Sequence, residues 1–368
     1  MSRSAVRFRS RAYFFRAMKK SKIINALYIH IPFCKKRCLY CDFYSQTDLS
    51  LMEKYLDALV RDIMSRRTLP VFLKSIYIGG GTPSLLSSDE FNKLFSLLRN
   101  SFAINKKCEI TVELNPESAS ERLFETLKKN GVNRISIGFQ FLENRLLKKS
   151  GRLHSAKRAI DAFRKAKNCA FKNINADIIY GFPSQTAAEL NQTLNKTLSL
   201  KPAHISAYLY TPPQHRKNLF SAEKHSDEET LKMYRLICRR MSQNGFHHYE
   251  ISNFALRGKE SVHNLSCWNQ SDYIGCGAAA VSTINGVRTK NAKLLTYIKY
   301  PLKRKKERLT PEKLKLEKKF LAGRTKKGIP TRKKHTPFIK AGWLREKNGR
   351  SVFTEEGWFL SSSIIPEL

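Results

Sequence analysis

At 368 residues with 41% apolar content, the chain is long enough for one large domain plus a smaller one around a hydrophobic core, which excludes a disordered protein. The formal net charge of +38, from 68 Lys and Arg against 30 Asp and Glu, invites a nucleic-acid or anionic-surface reading. No zinc finger, RNA-recognition core or helix-turn-helix signature accompanies it, and no apolar run reaches the roughly 18 residues of a membrane span, so nucleic acid is a remote reading and a soluble, cytoplasmic protein is expected.

Much of the excess charge lies toward the ends. Residues 299–350 hold 20 Lys or Arg and 4 acids, and Met1 to Asn25 hold 8 and none; a solvated basic face is the plain explanation. Residues 1–25 are set apart as a basic tail. The acid-free, Arg- and Ser-rich first 22 residues read as a mitochondrial targeting segment, as an unstructured tail, or as an early start with Met18 the true one.

From Ala26 to Gly245 short β-branched runs alternate with amphipathic stretches. Strands are expected at Ala26–Ile31, Lys74–Gly79, Glu109–Leu114, Arg134–Phe139, Ile174–Tyr180 and His204–Tyr210, and helices at Leu51–Arg66, Asp89–Asn100, Ser120–Asn130, Ala156–Ala170, Ala187–Leu200 and Asp227–Asn244. Gly131 and Gly245 follow Asn130 and Asn244, where helix ends take positive φ. Six strand–helix units in succession predict an α/β fold: a partial parallel (β/α)6 barrel, closed or nearly closed, over residues 26–250. Chemistry in such barrels gathers at the C-terminal ends of the strands.

The unusual motifs fall at those ends. After the first strand, Cys34, Cys38 and Cys41 have C-x3-C-x2-C spacing, which brings three thiolates from one loop onto an iron–sulfur cluster that normally takes four. One iron is then left open for an exchangeable small molecule. Structural zinc wants two separated ligand pairs, and no second pair follows at a plausible distance. A disulfide framework is disfavoured by length and the lack of a signal peptide; free buried cysteines are the remaining alternative. After the second strand, Gly79-Gly80-Gly81-Thr82-Pro83 either lets the backbone approach a ligand or makes a tight turn; it is not a phosphate loop. Glu113-Leu-Asn-Pro116, Gln140, and Asp177 with Gly181-Phe-Pro183 mark the third to fifth strands.

Tyr28-x-His-x-Pro-Phe-Cys-x3-Cys-x-Tyr-Cys-Asp-Phe resembles the radical S-adenosylmethionine superfamily, in the branch of the oxygen-independent coproporphyrinogen oxidases and the haem chaperones of the HemW type. The resemblance implies a [4Fe-4S] cluster on Cys34, Cys38 and Cys41, with S-adenosyl-L-methionine chelating the open iron. It places Tyr28 and Tyr40 beside cluster and cofactor and Gly80, Gly81 and Thr82 at the methionine end. It assigns Glu113, Gln140, Arg152 and Asp177 to the cofactor's amino, carboxylate and ribose groups, pairings that charge complementarity favours.

Past residue 250 the pattern changes. His263-Asn-Leu-Ser-Cys267-Trp268, in a post-barrel segment of residues 251–300, resembles the branch's His-Asn-x-x-Tyr-Trp segment with Cys267 at the Tyr position. Both His263 and Cys267 carry haem-ligating atoms, and their spacing puts them on one face of a helix; a His satisfied by the backbone beside a small apolar Cys is the alternative. Tyr210-Thr-Pro-Pro213 lacks the acidic residue of the chaperone-like branch. Residues 301–368 are expected as a basic helical or linker region, 301–335, followed by a smaller, mostly helical C-terminal domain that Phe338–Leu368 resembles, with a helix starting at Thr354.

The function implied is that of a haem chaperone that binds cluster, S-adenosylmethionine and haem and passes haem to an acceptor protein, with a flavodoxin- or ferredoxin-like electron donor as a further partner. Asp42-Phe43 favours it, since the oxidase branch places Gly-Cys there, as does a first strand beginning at about residue 26. The alternatives are the oxidase itself, which decarboxylates coproporphyrinogen III propionates, and a basic nucleic-acid-binding protein with a structural cluster.

Overall fold

The computed structural model describes residues 23–216, 219–220 and 223–368; the basic tail's first 22 residues, with Met18, lie outside the described residues. The six expected strands are β1 (Ile24–Ile31), β2 (Val71–Gly80), β3 (Ala103–Leu114), β4 (Arg134–Gln140), β5 (Ile174–Tyr180) and β6 (His204–Leu209). They pair in parallel in that order. The crossovers carry α1 (Met52–Met64), α2 (Ser88–Ser101), α3 (Glu121–Lys129), α4 (Asn144–Lys149), α5 (Ala156–Asn168) and α6 (Ala187–Ser199), and α7 (Asp227–Gln243) follows β6. Capping boxes start α2 (Ser87 with Glu90), α6 (Thr186 with Glu189) and α7 (Ser226 with Glu229), each satisfying backbone N–H groups that a helix start leaves unpaired.

Alternation along the strands sorts side chains onto two faces. The outer face is apolar: Leu27, Ile29, Ile31, Ile76, Ile78, Val112, Leu114, Ile135, Ile137 and Phe139 pack beneath Leu59, Phe91, Phe95, Leu98, Phe124 and Phe163 of the covering helices. The inner face is polar: Tyr28 and His30, Ser75 and Tyr77, Glu109, Thr111 and Glu113, Arg134 and Ser136, Asn175 and Asp177, His204, Ser206 and Tyr208. The sheet therefore packs its core outside and curls around a polar chamber. Tyr208, beyond the last β6–β8 pairing at Ser206, is 42% exposed.

The barrel is open. β1 and β6 do not pair with each other; β9 (Tyr273–Cys276) adds to β1 in parallel, and β8 (Asn253–Ala255) with β7 (His247–Glu250) adds antiparallel to β6. β10 (Val281–Ile284), β11 (Val287–Asn291) and β12 (Arg304–Arg308) extend the β9 side to give a sheet of twelve strands among the described residues. The N-terminal end of the chamber is stoppered by α8 (Val262–Trp268), whose first N–H groups, at Val262 and His263, donate to the Glu109 carboxylate. Ser261 N donates to the Tyr249 hydroxyl, which in turn meets His204 Nε2 at 2.8 Å. One short helix thus ties β3 to β6 and β7.

One expectation needs correction. Residues 304–308 are not linker but the edge strand β12, whose alternation is hidden because an edge strand's free side takes charges that discourage further pairing. The C-terminal domain has the expected helices, among them Pro311–Gly323, Thr336–Lys340 and Ser361–Glu367, and adds a small antiparallel sheet, in which β13 (Ile329–Pro330), β14 (Leu344–Lys347) and β15 (Arg350–Phe353) take the order β13-β15-β14. Its hairpin turns at Asn348 (φ 52°) and Gly349 (φ 69°), a two-residue turn that only such residues enter easily. The helix expected at Thr354 is present, Glu355–Phe359, capped by Thr354 and burying Trp358.

Candidate functional site

The cysteine loop leaves β1 at the open end of the chamber and is held by its backbone. Cys34 N donates to Gln46 O, Gln46 N to Pro32 O, and Leu39 N to Ser150 O. The glycine loop after β2 locks onto it through Gly81 N to Ile31 O and Thr82 N to Phe33 O. A Cβ at Gly81 would lie 2.6 Å from Phe33 O and 3.0 Å from Cys34 Sγ, so glycine is what permits the two loops to meet. Cys34, Cys38 and Cys41 are all half-buried free thiols. Burial, reinforced for Cys41 by the other two thiols, pushes Cys41 up to about 11 and raises Cys34 as well. Among the described residues no three His, Cys, Asp or Glu side chains gather as ligands of one metal ion. Ligands of a multi-iron cluster bind different irons, and three thiols spread over one loop match that need.

Around the thiols lies a polar ring. Thr82 Oγ1 donates to Cys34 Sγ at 3.4 Å and accepts from Asn115 Nδ2 at 2.8 Å. Arg152 reaches Cys38 Sγ at 3.8 Å, the Tyr40 hydroxyl at 3.4 Å, Asn115 Oδ1 at 2.9 Å and Gly138 O at 3.0 Å. Gln140 ends β4 at φ 63°, a left-handed conformation that a non-glycine residue holds only under constraint; it turns its amide to within 3.0 Å of the Cβ position of Gly138. Tyr40, Thr82, Gln140 and Arg152 are therefore brought together at the mouth.

Deeper in, Glu113 accepts from the Tyr77 hydroxyl at 2.6 Å and from Gly80 N at 3.1 Å. Burial raises its carboxyl to about 7, against the opposing pull of the Tyr77 hydrogen bond. Asp177 accepts from Asn175 Nδ2 at 2.8 Å and Ser136 Oγ at 3.0 Å and is also raised by burial. Tyr28 bonds His30 Nδ1 at 2.8 Å. A carboxyl with a raised folded-state value favours the fold below the ordinary value and loses that contribution as pH climbs through the raised one. Relative to a Glu113→Gln variant, the wild type should lose on the order of 1 kcal/mol per pH unit between pH 4.5 and 7. Urea unfolding of both proteins at pH 5 and pH 8 checks this; parallel profiles would refute it.

His263 and Cys267 do lie on one helix, α8, but His263 points into the chamber floor. Its Nδ1 meets Ser75 Oγ at 3.1 Å, its ring lies 5.1 Å from that of Tyr77, and burial with the nearby Arg134 pushes it down to about 4. It is a neutral imidazole. Cys267, one turn on, is half-buried. Asn115, His30, Tyr77 and Tyr208 are site residues to which the sequence reading gives no role. Asn115 stands within the Glu113–Pro116 motif and His30 within the motif that opens at Tyr28, while Tyr77 and Tyr208 occupy inner-face positions of strands β2 and β6.

The Radical SAM superfamily pattern matches residues 28–197. The chain is 38% identical over 277 residues to the haem chaperone HemW of Bacillus subtilis (strain 168), covering 73% of each chain. It is 35% identical over 324 residues to HemW of Lactococcus lactis subsp. lactis (strain IL1403), covering 85% of each. With HemW of Mycobacterium tuberculosis (strain ATCC 25618 / H37Rv) identity is 29% over 368 residues, covering 93% of this chain and 94% of that one. The solved structure of coproporphyrinogen III oxidase HemN from Escherichia coli matches with a TM-score of 0.81 at 22% identity, over 97% of this chain and 92% of that one, a likeness of fold.

Proposed function

The chain belongs to the HemW family of the radical SAM superfamily, and from that membership we propose that it is a haem chaperone, binding a [4Fe-4S] cluster, S-adenosylmethionine and haem and delivering haem to an acceptor protein. The observation that carries the reading is the identity of 35–38% to proteins named haem chaperone over about three quarters or more of their length.

Cys34, Cys38 and Cys41 would hold the cluster, which when bound supplies an open iron for the methionine end of the cofactor. Gly80 and Gly81 let the backbone come close there, and Thr82, fixed by Asn115, orients Cys34. Glu113 offers a carboxylate to an ammonium group, Gln140 and Asp177 offer polar atoms toward the cofactor's remaining groups, and Arg152 fixes the thiol loop against Tyr40. Tyr28 walls the chamber and keeps water from its base. The exposed surface at the loop, with Phe43 70% exposed beside exposed Lys35 and Lys36, suits an acidic electron donor of flavodoxin or ferredoxin type. His263 and Cys267 are the side chains we assign to haem iron. Among the described residues no helix is long and apolar enough to cross a membrane.

Purified protein titrated with haem should develop a Soret band saturating near one haem per chain, and its position should move in a Cys267→Ser variant. Under anaerobic reducing conditions it should leave coproporphyrinogen unconverted. No Soret band would sink the chaperone reading, and protoporphyrinogen formation would transfer the protein to the oxidase class.

A further inference from the structure

Arg134 opens β4 on the inner face, in register with Thr111 of β3. It is 2% exposed. Among the described residues none of its guanidinium nitrogens makes a hydrogen bond, no carboxylate lies within ion-pair distance, and Nε is wholly buried without a partner. The Thr111 hydroxyl beside it is buried and unpartnered too. Arg152 offers the contrast, for its three nitrogens meet Cys38, Tyr40, Asn115, Gly138 and His154. The groove of about 530 Å³ between β12 and the C-terminal helices offers another: four of its charges pair with each other, Arg288 with Glu317 and Lys313 with Glu307.

An unpaired guanidinium taken out of water is costly, and buried donors are seldom left without acceptors. Arg134 does feel the carboxylates of Glu113 and Asp177 on the two strands that flank β4, yet both are bonded elsewhere, Glu113 to Tyr77 and Gly80 and Asp177 to Asn175 and Ser136. Arg is the side chain whose planar fork matches a carboxylate with two parallel hydrogen bonds. Tyr77 stands level with the pair on the neighbouring strand, in register with Thr111.

We propose that Arg134 and Thr111 form an anion subsite on the chamber floor that receives a carboxylate of the bound ligand. Haem carries such a group in its propionates, so the subsite rests on the chaperone reading; the methionyl end of S-adenosylmethionine belongs beside Gly80–Thr82 and the thiol loop, at the other end of the chamber.

One matched pair tests it and a second is the control. Haem is compared with haem dimethyl ester on cluster-free protein, and S-adenosylmethionine with its decarboxylated form on cluster-loaded protein, for wild type, Arg134→Gln, Arg134→Lys and Thr111→Val. A charge-assisted pair predicts that wild type prefers haem over its ester by roughly 10- to 100-fold. Arg134→Gln should erase that preference while leaving affinity for the ester within about threefold, and Arg134→Lys and Thr111→Val should retain part of it. The preference for S-adenosylmethionine over its decarboxylated form, set at the cluster end, should stay unchanged in every variant. If wild type takes up neither haem nor its ester, the chaperone reading falls and the subsite with it. A haem preference unchanged in an Arg134→Gln protein whose circular dichroism and melting match wild type would overturn the subsite alone; so would equal losses for haem and ester, or loss of the S-adenosylmethionine preference instead. Should Arg134→Gln fail to fold, Thr111→Val decides alone by the same criterion.

Discussion

Replacing Cys34, Cys38 and Cys41 together by Ala should abolish the iron–sulfur absorption of protein reconstituted anaerobically with iron and sulfide, and with it the electron-paramagnetic signal of the reduced protein and that signal's change on adding S-adenosylmethionine. The effect is all-or-none because thiolate ligation is what holds such a cluster. The cofactor-free fold should hardly notice. The loop is held by Cys34 N on Gln46, Leu39 N on Ser150 and Thr82 N on Phe33, backbone bonds that no cysteine side chain makes. The three thiols are half-buried and end no core cluster. Substitutions at such positions usually stay within about 0.5 kcal/mol each, so the melting temperature of the triple variant should lie within a few degrees of wild type. A variant that loses the cluster and also unfolds would mean the thiols are structural; a variant that keeps a cluster would mean that other ligands hold it.

That loop was legible because its information is local. Three thiols in eight residues constrain chemistry without any fold, and the six strand–helix units announce themselves through β-branched runs closed by capping signals such as Ser87 with Glu90 and Thr186 with Glu189. What the chain hides is non-local. Arg134 reads as the polar flank of an apolar run, and only the register with Thr111 and the curl of the sheet turn it inward. His263 sits in a motif suggestive of ligation, but its direction depends on Glu109 of β3, more than 150 residues earlier, accepting from the first turn of α8. β9 to β12 are four or five residues long and broken by Gly277 and Gly286, too short for periodicity to register. The Asn348-Gly349 turn is a hairpin signal in sequence; its flanks, Arg345-Glu-Lys347 and Arg350-Ser, are too polar to read as strands by themselves.

The same non-local logic sets the largest expected loss of stability. Asp62, in α1, is 0% exposed and is the acceptor on which the β11–β12 side of the sheet converges. Its Oδ2 accepts from Gly277 N at 3.1 Å, Asn291 Nδ2 at 2.9 Å and the Tyr297 hydroxyl at 3.0 Å, and its Oδ1 accepts from Arg304 Nη2 at 2.6 Å. Gly277 follows β9, Asn291 ends β11, Arg304 begins β12, and Tyr297 stands on the helix between them, Leu294–Lys299. One carboxylate therefore fastens four separate pieces of chain to the helix that covers β1. Asp62→Ala takes the shared carboxylate away from half-buried Arg304, from buried Arg66 at 3.5 Å and from the three neutral donors, and breaking such a buried pair typically costs about 3–5 kcal/mol. Asp62→Asn should cost less, since the amide oxygen still accepts. Removing Arg304 as well, in Asp62→Ala with Arg304→Met, should recover part of the loss, because the stranded charge goes with its partner. Urea unfolding of the two single variants and the double gives the coupling. Amide exchange should accelerate first at Arg288–Asn291 and Arg304–Arg308, with β3 to β5 following only on global unfolding. If the single losses simply add, Asp62 and Arg304 act independently and the clasp is not a unit. If the double variant recovers while β11 and β12 still exchange early, the charge pair sets the energy, and the neutral donors Gly277, Asn291 and Tyr297 set where the sheet edge docks.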